Sequence, residues 1–134
     1  MKLIEQCEDL LRKILIAERR SSHSSSGRVC QICGNPVANP SLFHILNKKD
    51  FPRLRLDARN ILLAGWWCCH YKFHHDPYFA RDVVWPRIAE LLGPDWEAQL
   101  KVLNSTKPKL DMLELSKIRL DFQSRLSGRG KGAL

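Results

Sequence analysis

The sequence predicts an α+β fold: a small metal-stabilised core of short strands and a helix, with further helices at both ends. Residues 2–19 repeat apolar side chains at helical spacing. The pair Cys30-x-x-Cys33 opens a segment dense in Cys, His and aromatic residues, which ends in "GWWCCHYKFHHD" at Gly65–Asp76. Between them, "LFHIL" and "NILLA" are apolar runs of strand length. A chain of 134 residues suits one domain with small appendages.

Composition narrows the class. Hydrophobic residues make up 44 %, enough for a core and too many for wholesale disorder. The formal net charge of +8 favours a polyanionic partner, nucleic acid before membrane. No apolar run approaches the ~18 residues of a membrane span, so no membrane partner is expected. "MKLIEQCEDLLRKIL" carries acids among its apolar residues and does not read as a signal peptide. A cytoplasmic chain is expected, with its five cysteines as thiols or metal ligands.

In the first helix Leu3, Cys7, Leu10 and Ile14 form the stripe, with Ile4, Leu11 and Leu15 beside them. It reads as a packing helix; a short self-association seam, and so a homodimer, is the alternative. Serine-rich "RRSSHSSSGR" reads as a flexible linker over 21–28. In "CQICGNP" the two thiolates of Cys30 and Cys33 sit on a tight turn and converge on one metal. A redox pair shares that spacing but opens a helix, and Gly34, Asn35 and Pro36 prevent one, so zinc is favoured. A long basic loop joins the two strand candidates, a solvated stretch by default. "CCHYKFHH" suits a helix start. There His70 and His74, four apart, share one face and can grip one cation. Trp66, Trp67, Tyr71 and Phe73 are expected in the core. Asp76-Pro77 caps a helix running to about 92, bent near Trp85-Pro86. Gly93-Pro94 breaks the chain. Helices follow over 95–103 and 109–126, with "NSTKPK" as a loop between them and "SGRGKGAL" (127–134) as a disordered basic tail.

Read in order, Cys30-x-x-Cys33, His44, Asn60 and Cys69-His70-x-x-x-His74 resemble the HNH endonuclease motif. "LRLDARNI" before the cysteine-rich turn, and "AELLGPDWEAQL" after it, look closest to phage recombination nucleases of the NinG/Rap type. The resemblance covers about Cys30 to Leu126. It implies a zinc-stabilised ββα-metal, treble-clef core over 29–92 with a helical extension over 93–126, in a bacterial or phage-infected cell. By resemblance His44 is the general base, Asn60 holds the loop and orients His44, and His70 and His74 hold a divalent cation (Mg²⁺, Mn²⁺, Ni²⁺ or Zn²⁺) over the scissile phosphate. His44, Asn60 and His74 thus form the implied catalytic set, and Lys48, Lys49, Arg53, Arg55 and Arg59 its phosphate clamps. The implied function is metal-dependent DNA cleavage, perhaps on recombination or branched DNA.

The sequence departs from the family in two places. Phe43 stands where a further ligand often precedes the base, leaving Asp57 or His75 to substitute. The second knuckle is usually Cys-x-x-Cys-His, which would put a cysteine at Trp66; instead Cys68 adjoins Cys69, and Asn60 lies one residue further from the Cys-His pair. The fourth zinc position is open among Cys68, a histidine and no ligand at all. If His70 or His74 completes the zinc, no catalytic cation remains. The alternative functions are a zinc-stabilised DNA-binding module without cleavage, and an accessory subunit of a DNA-processing complex.

Overall fold

The computed structural model describes residues 1–104 and 109–132. Most of the expected "NSTKPK" loop and the last two residues of the expected tail lie outside them. The elements are α1 (Leu3–Glu18), β1 (Ser41–His44), β2 (Ile61–Ala64), α2 (Tyr71–His75), α3 (Pro77–Phe79), α4 (Trp85–Leu92), α5 (Trp96–Lys101) and α6 (Met112–Gly132). Wide π-helical turns at Trp66–His70 and Ala80–Val84 lead into α2 and α4. The fold is α+β, with one small two-stranded sheet among helices.

β1 and β2 pair antiparallel, with Ser41 opposite Ala64 and His44 opposite Ile61. Every residue of β2 is buried. "ILLA" has no polar alternation because both its faces are covered. Ile61 and Leu63 pack with α1 and α6, whereas Leu62 and Ala64 pack with Phe43, Cys30, Cys69, Val84 and Ile88. The sheet therefore separates two apolar clusters.

On one side, Cys7, Leu11, Ile14 and Leu15 of α1 are buried. α6 covers them. The Cys7 thiol donates to the Leu115 carbonyl at 3.5 Å, Arg119 donates to Gln6 at 3.0 Å, and Arg125 pairs with Glu18 at 3.2 Å. Cys7 near the start of α1 meets Leu115 and Glu18 at its end meets Arg125 further along α6, so the two helices run parallel. This corrects the self-association reading of α1: the stripe that would form the seam is occupied by α6 of the same chain. α6 starts on a reciprocal cap, the Asp111 carboxylate accepting from Glu114 N–H at 2.8 Å and Glu114 accepting from Asp111 N–H at 3.3 Å.

On the other side sits the turn carrying Cys30. Gln31 fastens it to the outer edge of β2: its N–H donates to the Leu63 carbonyl at 2.8 Å and its side-chain oxygen accepts from Leu63 N–H at 2.7 Å. Arg19, at the end of α1, donates to Gln31 Oε1 at 3.0 Å, to the Ile61 carbonyl at 2.7 Å and to the Ala58 carbonyl at 3.0 Å. The serine-rich stretch between them closes on itself, with Ser21 N–H donating to the Gly27 carbonyl at 2.8 Å.

The turn Ala80–Val84 explains how a helix passes Pro86. Trp85 N–H donates five residues back, to the Ala80 carbonyl. This widens the ladder where the proline ring would meet a carbonyl four residues behind it. α4 then ends at Gly93, whose φ of 98° favours glycine. Among the described residues no helix is long and apolar enough to cross a membrane.

Candidate functional site

The sulfurs of Cys30, Cys33, Cys68 and Cys69 lie within 4.8 Å of one another. Four thiolates at ~2.3 Å from one tetrahedral ion would stand ~3.8 Å apart, so the set fits a structural metal such as zinc. Cys30 and Cys33 come from the Gln31 turn, closed by Gly34 N–H donating to the Cys30 carbonyl at 2.7 Å. Cys68 and Cys69 come from the π-turn. On an α-helix adjacent residues diverge by about 100°. In this wider turn Gly65 accepts from both Cys69 N–H (3.3 Å) and His70 N–H (3.0 Å), and neighbouring sulfurs reach the same point.

Gly65 is what lets the two halves meet. A Cβ there would lie 2.5 Å from Cys68 Sγ and 3.1 Å from Val37 Cγ2. The protonation pattern also suits a cation. Burial opposes the Cys30 thiolate, yet N–H groups of Cys33, Gly65 and Ile32 hold it below the ordinary thiol range. Burial, and then the neighbouring cysteines, push Cys68 up to about 12 and Cys69 higher still. Four close thiolates repel one another, and a divalent ion removes that repulsion.

The same segment sorts the aromatics differently from expectation. Phe73 packs into the core. Trp66, Trp67 and Tyr71 are 44 %, 74 % and 39 % exposed. Cys69 and Phe73, four apart, fix the inward face, which turns Trp67 and Tyr71 outward.

Beyond the cysteines lies a cleft of about 970 Å³ whose walls include His44, Lys48, Lys49, His70, His74 and Lys101. His44 closes β1. Its Nε2 donates to the Arg55 carbonyl at 2.8 Å, and Glu8 Oε2 stands 3.8 Å away. A carbonyl only accepts, so the proton sits on Nε2 and the lone pair on Nδ1. Burial lowers the pKa of His44 against the upward pull of that carbonyl.

His70 is oriented by Ser41. The Ser41 hydroxyl donates to the Ala64 carbonyl at 3.0 Å, so at 2.7 Å it accepts from His70 Nδ1–H. That leaves His70 Nε2 as the free lone pair. Burial, with His74 adding to it, lowers the His70 pKa to about 4, so the ring is neutral near pH 7. The His70 and His74 rings lie 5.1 Å apart at 35°. Among the described residues no third Cys, His, Asp or Glu joins them in a ligand cluster. Phe43 is buried against Phe73 and His70. Asp57 is held by Arg59 at 2.7 Å, and His75 lies under Tyr71 with ring centres 4.1 Å apart.

Asn60, fully buried, accepts from Leu46 N–H at 2.8 Å and donates to the Leu46 carbonyl at 3.0 Å and the Leu54 carbonyl at 3.5 Å. It holds the 46–54 loop, but its amide is spent on that loop; the expected bond to His44 is replaced by the Arg55 carbonyl. Of the basic residues, Lys48 and Lys49 line the cleft. Arg53 pairs with Glu114 at 2.7 Å, Arg55 with Glu8 at 2.7 Å and Arg59 with Asp57. These three arginines fasten the loop to α6, to α1 and to itself.

Sequence reasoning missed Ser41, Glu8, Gln31 and the Arg55 carbonyl. Ser41 carried a faint signal, since it lies in the strand before His44. The others act across distances in sequence that no local pattern encodes. Compared with known proteins, the chain matches no family model, no curated sequence and no solved structure.

Proposed function

We propose that the protein is a metal-dependent endonuclease of the HNH type, hydrolysing DNA phosphodiester bonds on a zinc-stabilised treble-clef core. The observation that carries the reading is the His44 ring. It ends a strand, is fixed by the Arg55 carbonyl so that Nδ1 keeps its lone pair, and shares one cleft with His70, His74, Lys48 and Lys49. The π-turn supports the match as well. It takes up one more residue than an α-turn, which accounts for the extra residue between Asn60 and the Cys-His pair.

In this reading Lys48 and Lys49 bind phosphates, and His70 Nε2 and His74 hold a divalent cation. When bound, that cation stabilises the charge that builds on the phosphate and the leaving oxygen. His44 Nδ1 takes a proton from the attacking water as the new P–O bond forms and the bond to the leaving oxygen breaks. Asn60 keeps the 46–54 loop, and so the Arg55 carbonyl, in place.

A second reading, a zinc-stabilised DNA-binding module, is favoured by one observation: among the described residues no carboxylate joins His70 and His74 in a ligand cluster. One experiment separates them. Plasmid and branched DNA are incubated with the protein and Mg²⁺, Mn²⁺, Ni²⁺ or Zn²⁺, beside His44→Ala. The nuclease reading expects cleavage that falls by about 10²–10⁴-fold in the variant, while DNA binding persists. Binding without cutting under any of the four cations selects the module.

A further inference from the structure

The segment 66–75 has a second face. Trp67, Tyr71 and His75 follow at four-residue steps, with ring centres 5.5 Å apart between Trp67 and Tyr71 and 4.1 Å apart between Tyr71 and His75. Trp66 stands beside this column, 6.1 Å from Tyr71, and its other neighbour is the His70 ring at 4.9 Å. The column thus begins where the cation-binding pair ends. A tryptophan 74 % exposed leaves most of its surface in water, and contiguous exposed aromatics mark a binding surface rather than a packing solution.

We propose that this face is a stacking platform for the bases of an unpaired DNA strand whose phosphates run into the His70/His74 cleft. The inference rests on the DNA-binding part of the function proposed above and adds the surface on which an unpaired strand lies. Every base offers a π-face, so stacking on Trp and Tyr is tolerant of sequence. In a duplex those faces are covered by neighbouring pairs, and the platform therefore discriminates for unpaired strands. Charge favours the same occupant. Lys72 is exposed on this helix with its ammonium 5.7 Å from the Phe79 ring, and the chain carries a formal +8. The acids nearest in sequence are engaged: Asp76 accepts from Tyr78 and Phe79 N–H at 3.0 and 3.3 Å, and Asp82 is bound by Arg81 at 2.7 Å.

The test uses the full, zinc-loaded chain without added divalent cation, so that binding is read apart from cleavage. Fluorescence anisotropy is followed with a labelled oligothymidylate and with a duplex of equal length. The expected result is tighter binding of the single strand, weakened about tenfold by Trp67→Ala and again by Tyr71→Ala. Duplex binding and thermal melting stay unchanged, and Trp67→Phe retains most of the affinity. Equal affinity of Trp67→Ala and wild type for the single strand overturns the platform, as does an equal loss on both DNAs. Sedimentation that changes in Trp67→Ala while DNA binding does not would assign the face to a second copy of the chain and also overturn it. Absence of binding to either DNA removes the DNA reading itself, whereas single-strand discrimination here beside no cutting in the cation-supplemented plasmid assay removes only the nuclease.

Discussion

Gly65→Ala probes the metal centre with a single methyl group. The backbone at Gly65, φ −71° and ψ 135°, is open to any residue, so the effect is steric. The new Cβ would stand 2.5 Å from Cys68 Sγ, where ordinary contact needs ~3.5–4.0 Å. The sulfur must retreat by about 1 Å, against a ligand tolerance of about 0.2 Å. Cys68 has one side-chain torsion and cannot swing aside while keeping its place among four sulfurs. The variant therefore forfeits roughly one ligand in four. A quarter of the ~10–16 kcal/mol that a structural zinc supplies is roughly 3 kcal/mol, or about a hundredfold in affinity. Competition with a chelating dye gives that ratio, and thermal melting with and without zinc gives its effect on the fold. Gly34→Ala is the control. Its φ of +82° makes alanine strained by ~1–2 kcal/mol, but no atom lies within 4 Å of its Cβ, so zinc affinity should hold while melting drops. Wild-type zinc affinity in Gly65→Ala would refute the reasoning.

Three further outcomes are expected. Asn60→Ala strands Leu46 N–H and the Leu46 and Leu54 carbonyls away from water and should cost about 2–4 kcal/mol, read by denaturant unfolding; a cost under ~1 kcal/mol would show that the loop holds without it. Lys48→Ala with Lys49→Ala should lower the slope of log affinity against log salt by about two, while Arg53→Ala should leave the slope alone and lower the melting temperature; the reverse pattern would return the arginines to the DNA. His44 titrates below its ordinary value because it is buried, so the unfolded chain takes up its proton at a higher pH than the folded one. Its contribution to stability is then present above about pH 6.5 and lost as pH falls through the folded value, and the acid limb of kcat/KM should lie below pH 6.5; a limb at or above that pH would contradict a buried, neutral base.

Local chemistry is what the sequence made legible. Cys30 and Cys33 declare themselves by spacing, and helical periodicity puts His70 and His74 side by side. Leu62 and its neighbours read as a strand because an unbroken apolar run of that length needs two covered faces. Cys68 was ambiguous because its role depends on a turn wider than an α-helix, and no periodicity rule anticipates one. Trp67 and Tyr71 were placed in the core by residue type, although their spacing from Cys69 and Phe73 puts them on the opposite face. The arginines misled for a different reason. Glu8 and Glu114, which hold Arg55 and Arg53, are far away in the chain, and a basic run shows nothing of the acids that will meet it.

The attachment of Gln31 to β2 has a consequence for solubility. β2 is a short, wholly apolar strand, and a bare edge on such a strand is a template for intermolecular pairing. Gln31 closes that edge at Leu63 with both its main chain and its side chain, and it sits between the two cysteines of the first knuckle. A metal held by Cys30 and Cys33 would therefore also keep the edge shut. Chelation is predicted to release a sticky strand as well as a destabilised fold, so light scattering should rise with the loss of zinc and stay flat if another part of the chain guards the edge.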